Sequence, residues 1–480
     1  MQKRTKRART FYHTILIKKQ FFNFNTTLLP EKLIASLEGL PGFNKDSFVQ
    51  THESPADFTS VRLNQFKPFD LAKHPFMHSL QSMDWCEQGY YLNGRPSFVL
   101  DPLWHAGAYY VQEASSMFLQ TIISQLADSE KYYKVLDLCA APGGKTTLLA
   151  NAFKNGLVVA NETIKSRNAI LEENCIRWGS DHIVVTQNDP SHFKALPNFF
   201  DFIVADAPCS GSGLFRKDPQ AIQEWSVENV LHCSQRQERI IEESITALQE
   251  GGYYIYSTCS YSFEEDEKIM DYIASLEGMQ SVSIQLPEAT GIVTTHSPNC
   301  HAEGYRFYPD RLKGEGFFVA VFQKQKAAYT SQFSTPFRFT AVNKKELASL
   351  EAIFNLPHHV ECIQHQEEVI ALPLHCLQDL QTIRAHLYVK KMGMRIGVLK
   401  GTDLVPAHDL AMSQWDKMPY SDISVDLPDA LQFLRRADFK LDAPKGWHSL
   451  SYMNCRLGWV KVLPNRLNNY YPNTWRILNY

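Results

Sequence analysis

Short apolar runs alternate with longer stretches of helical periodicity between Lys134 and Gln323, and the runs are rich in Val, Ile, Leu and Phe. Strands are predicted at KVLDLC (134–139), LVVANE (157–162), HIVVTQ (182–187), DFIVADA (201–207), YYIYST (253–258) and FFVAVFQ (317–323), with helices between them. That order builds a doubly wound, mostly parallel sheet, an α/β domain. Upstream, LLPEKLIASLEGLPGF from Leu28 reads as helical and gives way to an extended piece, SVRLNQFK (60–67). Trp85, Tyr90, Tyr91, Phe98, Trp104, Tyr109 and Tyr110 follow, a density of rings expected of a core rather than of a base-stacking surface. Downstream, QKQKAAYTSQFSTP (323–336) has no apolar period, so a boundary is expected between 325 and 335. The expected division is a basic arm (1–27), an N-terminal subdomain (28–105), the α/β domain (106–325), a middle module (335–389) and a last module of short strands (390–480).

The stretch KVLDLCAAPGGK (134–145) organises the α/β part. A buried strand ends on Asp137, then Ala140, Ala141, Pro142, Gly143 and Gly144 make a turn of small residues that opens a helix, KTTLLANAF. Bare backbone and the free amides of a helix start suit an adenosine-bearing cofactor. GGKTT carries only the second half of a phosphate-binding Walker loop, because Cys139 stands where its first glycine belongs, and GxGxxG is absent. Ligands of open α/β sheets lie beyond the carboxyl ends of the strands, so those ends are the positions to inspect. Strand two ends on Glu162, suited to a ribose diol, and strand three on Asn188 and Asp189, suited to a purine edge. Strand four ends on Asp206, with Ala207, Pro208 and Cys209 behind it, and strand five on Ser257, Thr258, Cys259 and Ser260.

With 480 residues, 44% of them hydrophobic and 21% charged, the chain calls for two or three domains. It has no apolar run long enough to cross a bilayer and no cleavable leader, so it is expected to be cytoplasmic, and its 10 cysteines, none in a CxxC pair, to be free thiols rather than metal ligands. Cys175, Cys233, Cys300, Cys362, Cys376 and Cys455 are read as inert packing residues. The net charge of -3 is uninformative, but its distribution is not. Lys3, Arg4, Lys6, Arg7, Arg9, Lys18 and Lys19 crowd the first twenty residues without an acid. Lys390, Lys391, Arg395 and Lys400, then Arg456, Lys461, Arg466 and Arg476 among Trp459, Tyr470, Tyr471 and Trp475, mark the last module. Such a module either grips RNA by phosphates and stacking or buries its rings in its own barrel, and charge favours RNA.

Cys209 and Cys259 are expected at the ends of neighbouring strands, facing the cleft. One chemistry uses two thiols, a carboxyl group and a sulfonium methyl donor together. A thiolate adds to C6 of a pyrimidine, protonation at N3 by a group such as Asp206 makes C5 nucleophilic, and the adduct is resolved after methylation. Spacing leaves open which cysteine attacks.

DLCAAPGGKTT (137–147), DAPCSGSGLFRKDP (206–219), STCSYSFEEDE (257–267) and DPLWHAGAYYVQEASSM (101–117) resemble the Sun/Nop-type family of S-adenosylmethionine-dependent RNA cytosine-5 methyltransferases, nearest its bacterial RsmF-type members that modify small-subunit ribosomal RNA. The resemblance implies a Rossmann-like methyltransferase domain with an N-terminal RNA-contacting segment and C-terminal α+β and PUA-like β modules. It makes Cys259 the nucleophile and Cys209 the residue that assists product release. It assigns cofactor contacts to Cys139, Ala140, Ala141, Pro142, Gly143, Gly144, Lys145, Glu162, Asp189 and Asp206, and gives Lys145 a role in orienting the aspartate or the base. Arg216 and Lys217 are placed for RNA phosphates, and GWVKVLPNRLNNYYP (458–472) resembles the PUA-like module. The expected partner is ribosomal RNA or the small subunit, with no metal and no membrane, and the expected state is a monomer. Two alternatives are a catalytically idle RNA-binding assembly factor and a methyltransferase of transfer RNA.

Overall fold

Val135, Leu136, Val158, Val159, Ile183 and Val184 are buried on both sides of their strands, the pattern of a sheet covered on two faces. The computed structural model describes residues 29–54, 58–288, 290–325, 337–401 and 403–478; the basic arm lies outside them. An N-terminal sheet comes first, from β1 (Phe58–Leu63), β2 (Gln81–Met83), β3 (Cys86–Asn93) and β4 (Tyr109–Val111), in the order β2-β3-β1-β4. Since β4 pairs with β1, this sheet runs past the division expected at 105. Trp85, Tyr91, Phe98 and Tyr109 are buried, in line with the core reading of the aromatic segment.

The large sheet follows: β5 (Lys134–Asp137), β6 (Leu157–Asn161), β7 (Ile183–Thr186), β8 (Phe200–Asp206), β9 (Leu248–Thr258), β10 (Met279–Ser281), β11 (Val293–His296), β12 (Glu303–Phe307) and β13 (Phe317–Lys324). Strands β7, β6, β5, β8 and β9 run parallel in that spatial order, and β13 closes antiparallel on β9. The chain leaves β5 for β6 and β7 and returns to β8 on the other side of β5, so the switch point falls over the small-residue turn. One face is covered by helices Leu119–Leu126, Gly144–Ala152 and Lys165–Trp178, the other by Val227–Ser244 and Glu267–Ser275.

Beyond residue 337 lie β14 (Val360–His365), β15 (Glu368–Pro373), β16 (Val389–Lys391), β17 (Met394–Lys400) and β18 (Asp403–Pro406). Strands β14, β15, β17 and β18 form one sheet, so the boundary expected at 389/390 cuts through it. The sequence hides this because a short connection between two hairpins looks like a linker. That connection, β16, instead pairs antiparallel with β7 and extends the large sheet by a strand. Ile363, Ile370, Leu372, Leu380 and Ile383 pack into the core over that sheet's second face.

The last sheet is β19 (Asp422–Ser424), β20 (Gly446–Tyr452), β21 (Cys455–Leu463) and β22 (Arg466–Asn469). Its helix Leu427–Arg435 and Tyr471 share a core with Val61, Leu92, Leu103 and Tyr109 of the N-terminal sheet. Arg177, from the helix after β6, lies 4.3 Å from the ring of Trp104 and 5.2 Å from that of Trp475, joining three parts of the chain. Trp459 and Tyr471 are fully buried, so the barrel reading holds for them, and Arg456 is spent on the carbonyls of Ala411, Ser413 and Trp415. Arg466 and Arg476 remain exposed.

Candidate active site

Parallel pairing of β8 with β9 sets Asp206 opposite Ser257 and carries the two cysteine loops out side by side. Cys209 Sγ lies 2.9 Å from Cys259 Sγ, and both thiols are free and partly exposed. The hydrogen bond to Cys259, together with burial and the charges of Cys259 and Glu265, pushes the Cys209 thiol well above its ordinary value. The Cys209 thiol therefore stays protonated.

Asp206 receives Lys145 Nζ at 2.8 Å on one oxygen and Ser257 Oγ at 2.9 Å on the other. Lys145 lies in the first turn of the helix that opens at Gly144, and its ammonium also sits 5.1 Å from the centre of the Phe317 ring. The lysine that looks like the end of a phosphate loop thus reaches across to the strand-four carboxylate. Arg216 turns inward, 3.6 Å from the buried Glu315, which removes it from the expected phosphate contacts. Lys217 stays exposed.

The turn between β5 and the next helix needs its glycine, because Gly143 has φ +113° and a Cβ there would come within 3.2 Å of Leu171 Cδ1. Behind the turn, Asp137 accepts a hydrogen bond from Thr146 Oγ1 at 2.6 Å, while its other oxygen has no partner among the described residues. Burial pushes Asp137 up to about 7. A carboxyl group raised in the fold contributes stability that is fully present below its ordinary value of 3.8 and is lost as the pH rises through about 7. Stability against urea should therefore fall between about pH 4 and pH 7, and Asp137→Asn should flatten that fall; equal slopes for the two proteins would remove Asp137 as its source.

Beside the turn, a cleft is lined by Leu138, Cys139, Glu162, Ile164, Asp189 and Pro208. Its chemistry fits an adenosine: Glu162 faces the cleft with a carboxylate for a diol, and Ile164, 46% exposed, offers an apolar wall that a purine would cover. Glu162 accepts from Ile164 N at 2.8 Å, and its second oxygen lies 3.4 Å from Arg167. Asp189 caps the following turn through Ser191 and stands 3.7 Å from Arg239. Burial keeps the Cys139 thiol protonated, so it lines the cleft as a neutral group. Asn188 does not face a purine edge. Its amide donates to Tyr388 O at 3.0 Å and its carbonyl accepts from Tyr388 N at 3.0 Å, clasping β16 to the large sheet. Cys300 is exposed rather than packed.

Several groups escaped the sequence reading. Arg167 stands five positions after Glu162, where one turn of helix brings it back to the strand end. Arg236 and Arg239 sit three apart on one helix face, but only the tertiary fold points them at the cleft. Glu265 is fully buried and accepts from Ser210 N at 2.8 Å, Ser210 Oγ at 2.5 Å, Ser260 Oγ at 2.6 Å and Gln237 Nε2 at 3.2 Å. Ser210 and Ser260 each follow a cysteine, so one carboxylate fixes both loops. A second clamp is Arg306, which donates to Tyr261 O at 2.9 Å and pairs with Glu267 and Asp266. Glu265→Ala should strand these donors, lower stability on the order of 3 kcal/mol and weaken kcat more than cofactor affinity. Chemical denaturation and single-turnover assays read both; unchanged kcat in a folded variant would rule out the clamp.

Three family models match the chain: "16S rRNA methyltransferase RsmB/F" over 123–323, "N-terminal domain of 16S rRNA methyltransferase RsmF" over 29–114, and "Methyltransferase RsmF PUA domain" over 420–477. The chain is similar to ribosomal RNA small subunit methyltransferase F of Shewanella woodyi, 30% identical over 460 residues that make up 89% of this chain and 92% of the relative. The relative of the same name from Aeromonas hydrophila is 28% identical, over 93% of this chain and 97% of its own. Among solved structures, a methyltransferase homologue from Pyrococcus horikoshii aligns with TM-score 0.51 at 27% identity, covering 60% of this chain and 93% of that one. NSun6 of the same organism shares the fold, with TM-score 0.53 at 20% identity over 62% of this chain and 99% of that one.

Proposed function

This chain belongs to the 16S rRNA methyltransferase RsmB/F family, and from that premise we propose that it methylates C5 of a cytosine in small-subunit ribosomal RNA through a covalent adduct to C6, acting in the cytoplasm as a monomer. Its cofactor is S-adenosylmethionine, which when bound supplies an electrophilic methyl group. The cradle is the run Cys139, Ala140, Ala141, Pro142, Gly143, Gly144 and Lys145, with Glu162 for the ribose, Asp189 for the adenine and Asp206 at the methyl end.

The chain's own residues do the rest. The target cytosine leaves its stack, since neither face of a paired base is open to a thiol. Cys259 adds to C6, and the electrons of the C5–C6 bond pass toward N3. The Asp206 carboxylate, held by Lys145 and Ser257, lies at the N3 edge and relays to N3 a proton that the Lys145 ammonium gives up. Once C5 is methylated, a water molecule takes the C5 proton, the C5–H electron pair re-forms the C5=C6 bond as the C6–S bond breaks with Cys259 leaving as thiolate, and the N3 proton returns to the Asp206–Lys145 pair. Cys209, protonated and hydrogen bonded to Cys259, meets the departing sulfur. The observation that carries this reading is the 2.9 Å approach of two free thiols beside a Lys145–Asp206 pair. The N-terminal sheet and the modules beyond residue 337 choose the target.

Bisulfite sequencing of small-subunit RNA from cells with and without the protein tests the reaction. At least one cytosine should be protected only when the protein is present, and an unchanged protection pattern would overturn it.

A further inference from the structure

Between the large sheet and the middle sheet runs a groove of about 380 Å³, within the roughly 300–1,000 Å³ of small-ligand clefts. Its floor is Ile363, Ile370 and Met392, and its walls carry five cations and a single acid, Glu368. Two of those cations are already engaged. Lys391 donates to Gly393 O at 2.7 Å, and Arg395 pairs with Asp409 at 2.9 Å. The other three, Arg338, Arg384 and Lys390, make no ion pair among the described residues. Rings accompany them: Phe337 and Phe339 pack edge to face with ring centres 5.2 Å apart, and Arg384 lies 5.7 Å from the Phe337 ring. Next to Val389 and Lys390 of the groove wall stands Tyr388, 58% exposed, its ring 5.8 Å from the Lys390 ammonium.

Rings between unpaired cations along a groove are what a single-stranded nucleic acid needs, stacking for its bases and charge for its phosphates. A duplex would hide its base faces from them. The position is also informative. Tyr388 is clasped by Asn188, next to Asp189 of the cofactor cleft, so the groove begins at the edge of the sheet where the strands end. From β16 to β8, which leads to Cys209, is four strand spacings, about 19 Å. We propose that this groove holds a single-stranded segment of the substrate RNA flanking the target cytosine, with Arg338, Arg384 and Lys390 on its phosphates and Tyr388 under a base. The proposal rests on the reading of the chain as an RNA methyltransferase and adds a contact surface outside the PUA-like module.

The test uses the full chain and a fluorescent oligoribonucleotide without cytosine, which leaves the base pocket unread. Arg338→Glu/Arg384→Glu/Lys390→Glu should weaken binding at least tenfold and reduce the slope of log affinity against log salt by about 2, three phosphate contacts at about 0.7 each. Tyr388→Ala should weaken it by about tenfold, the loss of one stacked base. S-adenosylmethionine binding and the melting temperature should not change. If the triple variant does not fold, Arg338→Gln/Lys390→Gln, both at exposed side chains, should reduce the slope by about 1.4. An unchanged isotherm and slope in the folded variant overturn the proposal, and would leave an acidic protein surface as the groove's partner. A wild-type chain that binds the oligonucleotide but transfers no methyl group to cytosine in small-subunit ribosomal RNA would instead sink the reaction proposed above and leave the groove standing.

Discussion

Replacing Cys259 with alanine is expected to abolish methyl transfer, a loss on the order of 10⁴-fold or more, as when a covalent nucleophile is removed. The reason is electronic: cytosine C5 is a poor nucleophile until a sulfur occupies C6, and no other group at the site can take that place. Cys209 is the nearest thiol; the substitution removes the hydrogen bond to Cys259 that raises it most, but burial and Glu265 remain and still hold it above its ordinary value. Cofactor affinity should be unchanged, because Cys259 lies outside the adenosine cleft. Radiolabelled methyl transfer and equilibrium binding of S-adenosylmethionine read the two quantities. Residual transfer by Cys259→Ala that vanishes on adding Cys209→Ala would exchange the roles of the two cysteines.

Cys209→Ala is expected to do something different, leaving addition and methylation intact while the adduct persists. The departing Cys259 sulfur loses the hydrogen-bond donor that stands 2.9 Å away, and Glu265 offers no replacement because all its contacts are to serines and Gln237. Protein and RNA should then migrate together on a denaturing gel, with the complex sensitive to ribonuclease. Absence of that species, with turnover retained, would remove Cys209 from the release step. The pair Cys209→Ala and Cys259→Ala should give no complex, which separates adduct formation from tight binding.

The strand order, the turn and the convergence of the cysteines were legible because each is local: an apolar run, then a polar residue at its end, then a turn of small residues. What escaped was set by partners far away in the chain. Asn188 looked like a ligand for a purine because its engagement with Tyr388 lies 200 residues downstream. Arg216 looked free until Glu315 came to meet it. Glu265 sat among three other acids, and nothing in FEEDE distinguishes the one that holds two serines from Asp266 and Glu267, which are buried against Arg306, or from the half-buried Glu264. Likewise β16 is three residues long and carries no period that reveals a strand.

That strand sets a limit on dissecting the molecule. Cutting after residue 325 would leave β7 with a bare edge of amides and carbonyls and expose the apolar face that Leu380 and Ile383 cover. The catalytic half would be sticky on its own, so modules should be probed by point substitution instead. During synthesis the enzyme would also stay unfinished until about residue 391 has left the ribosome, which delays the closing of the cofactor-side edge until most of the chain is made.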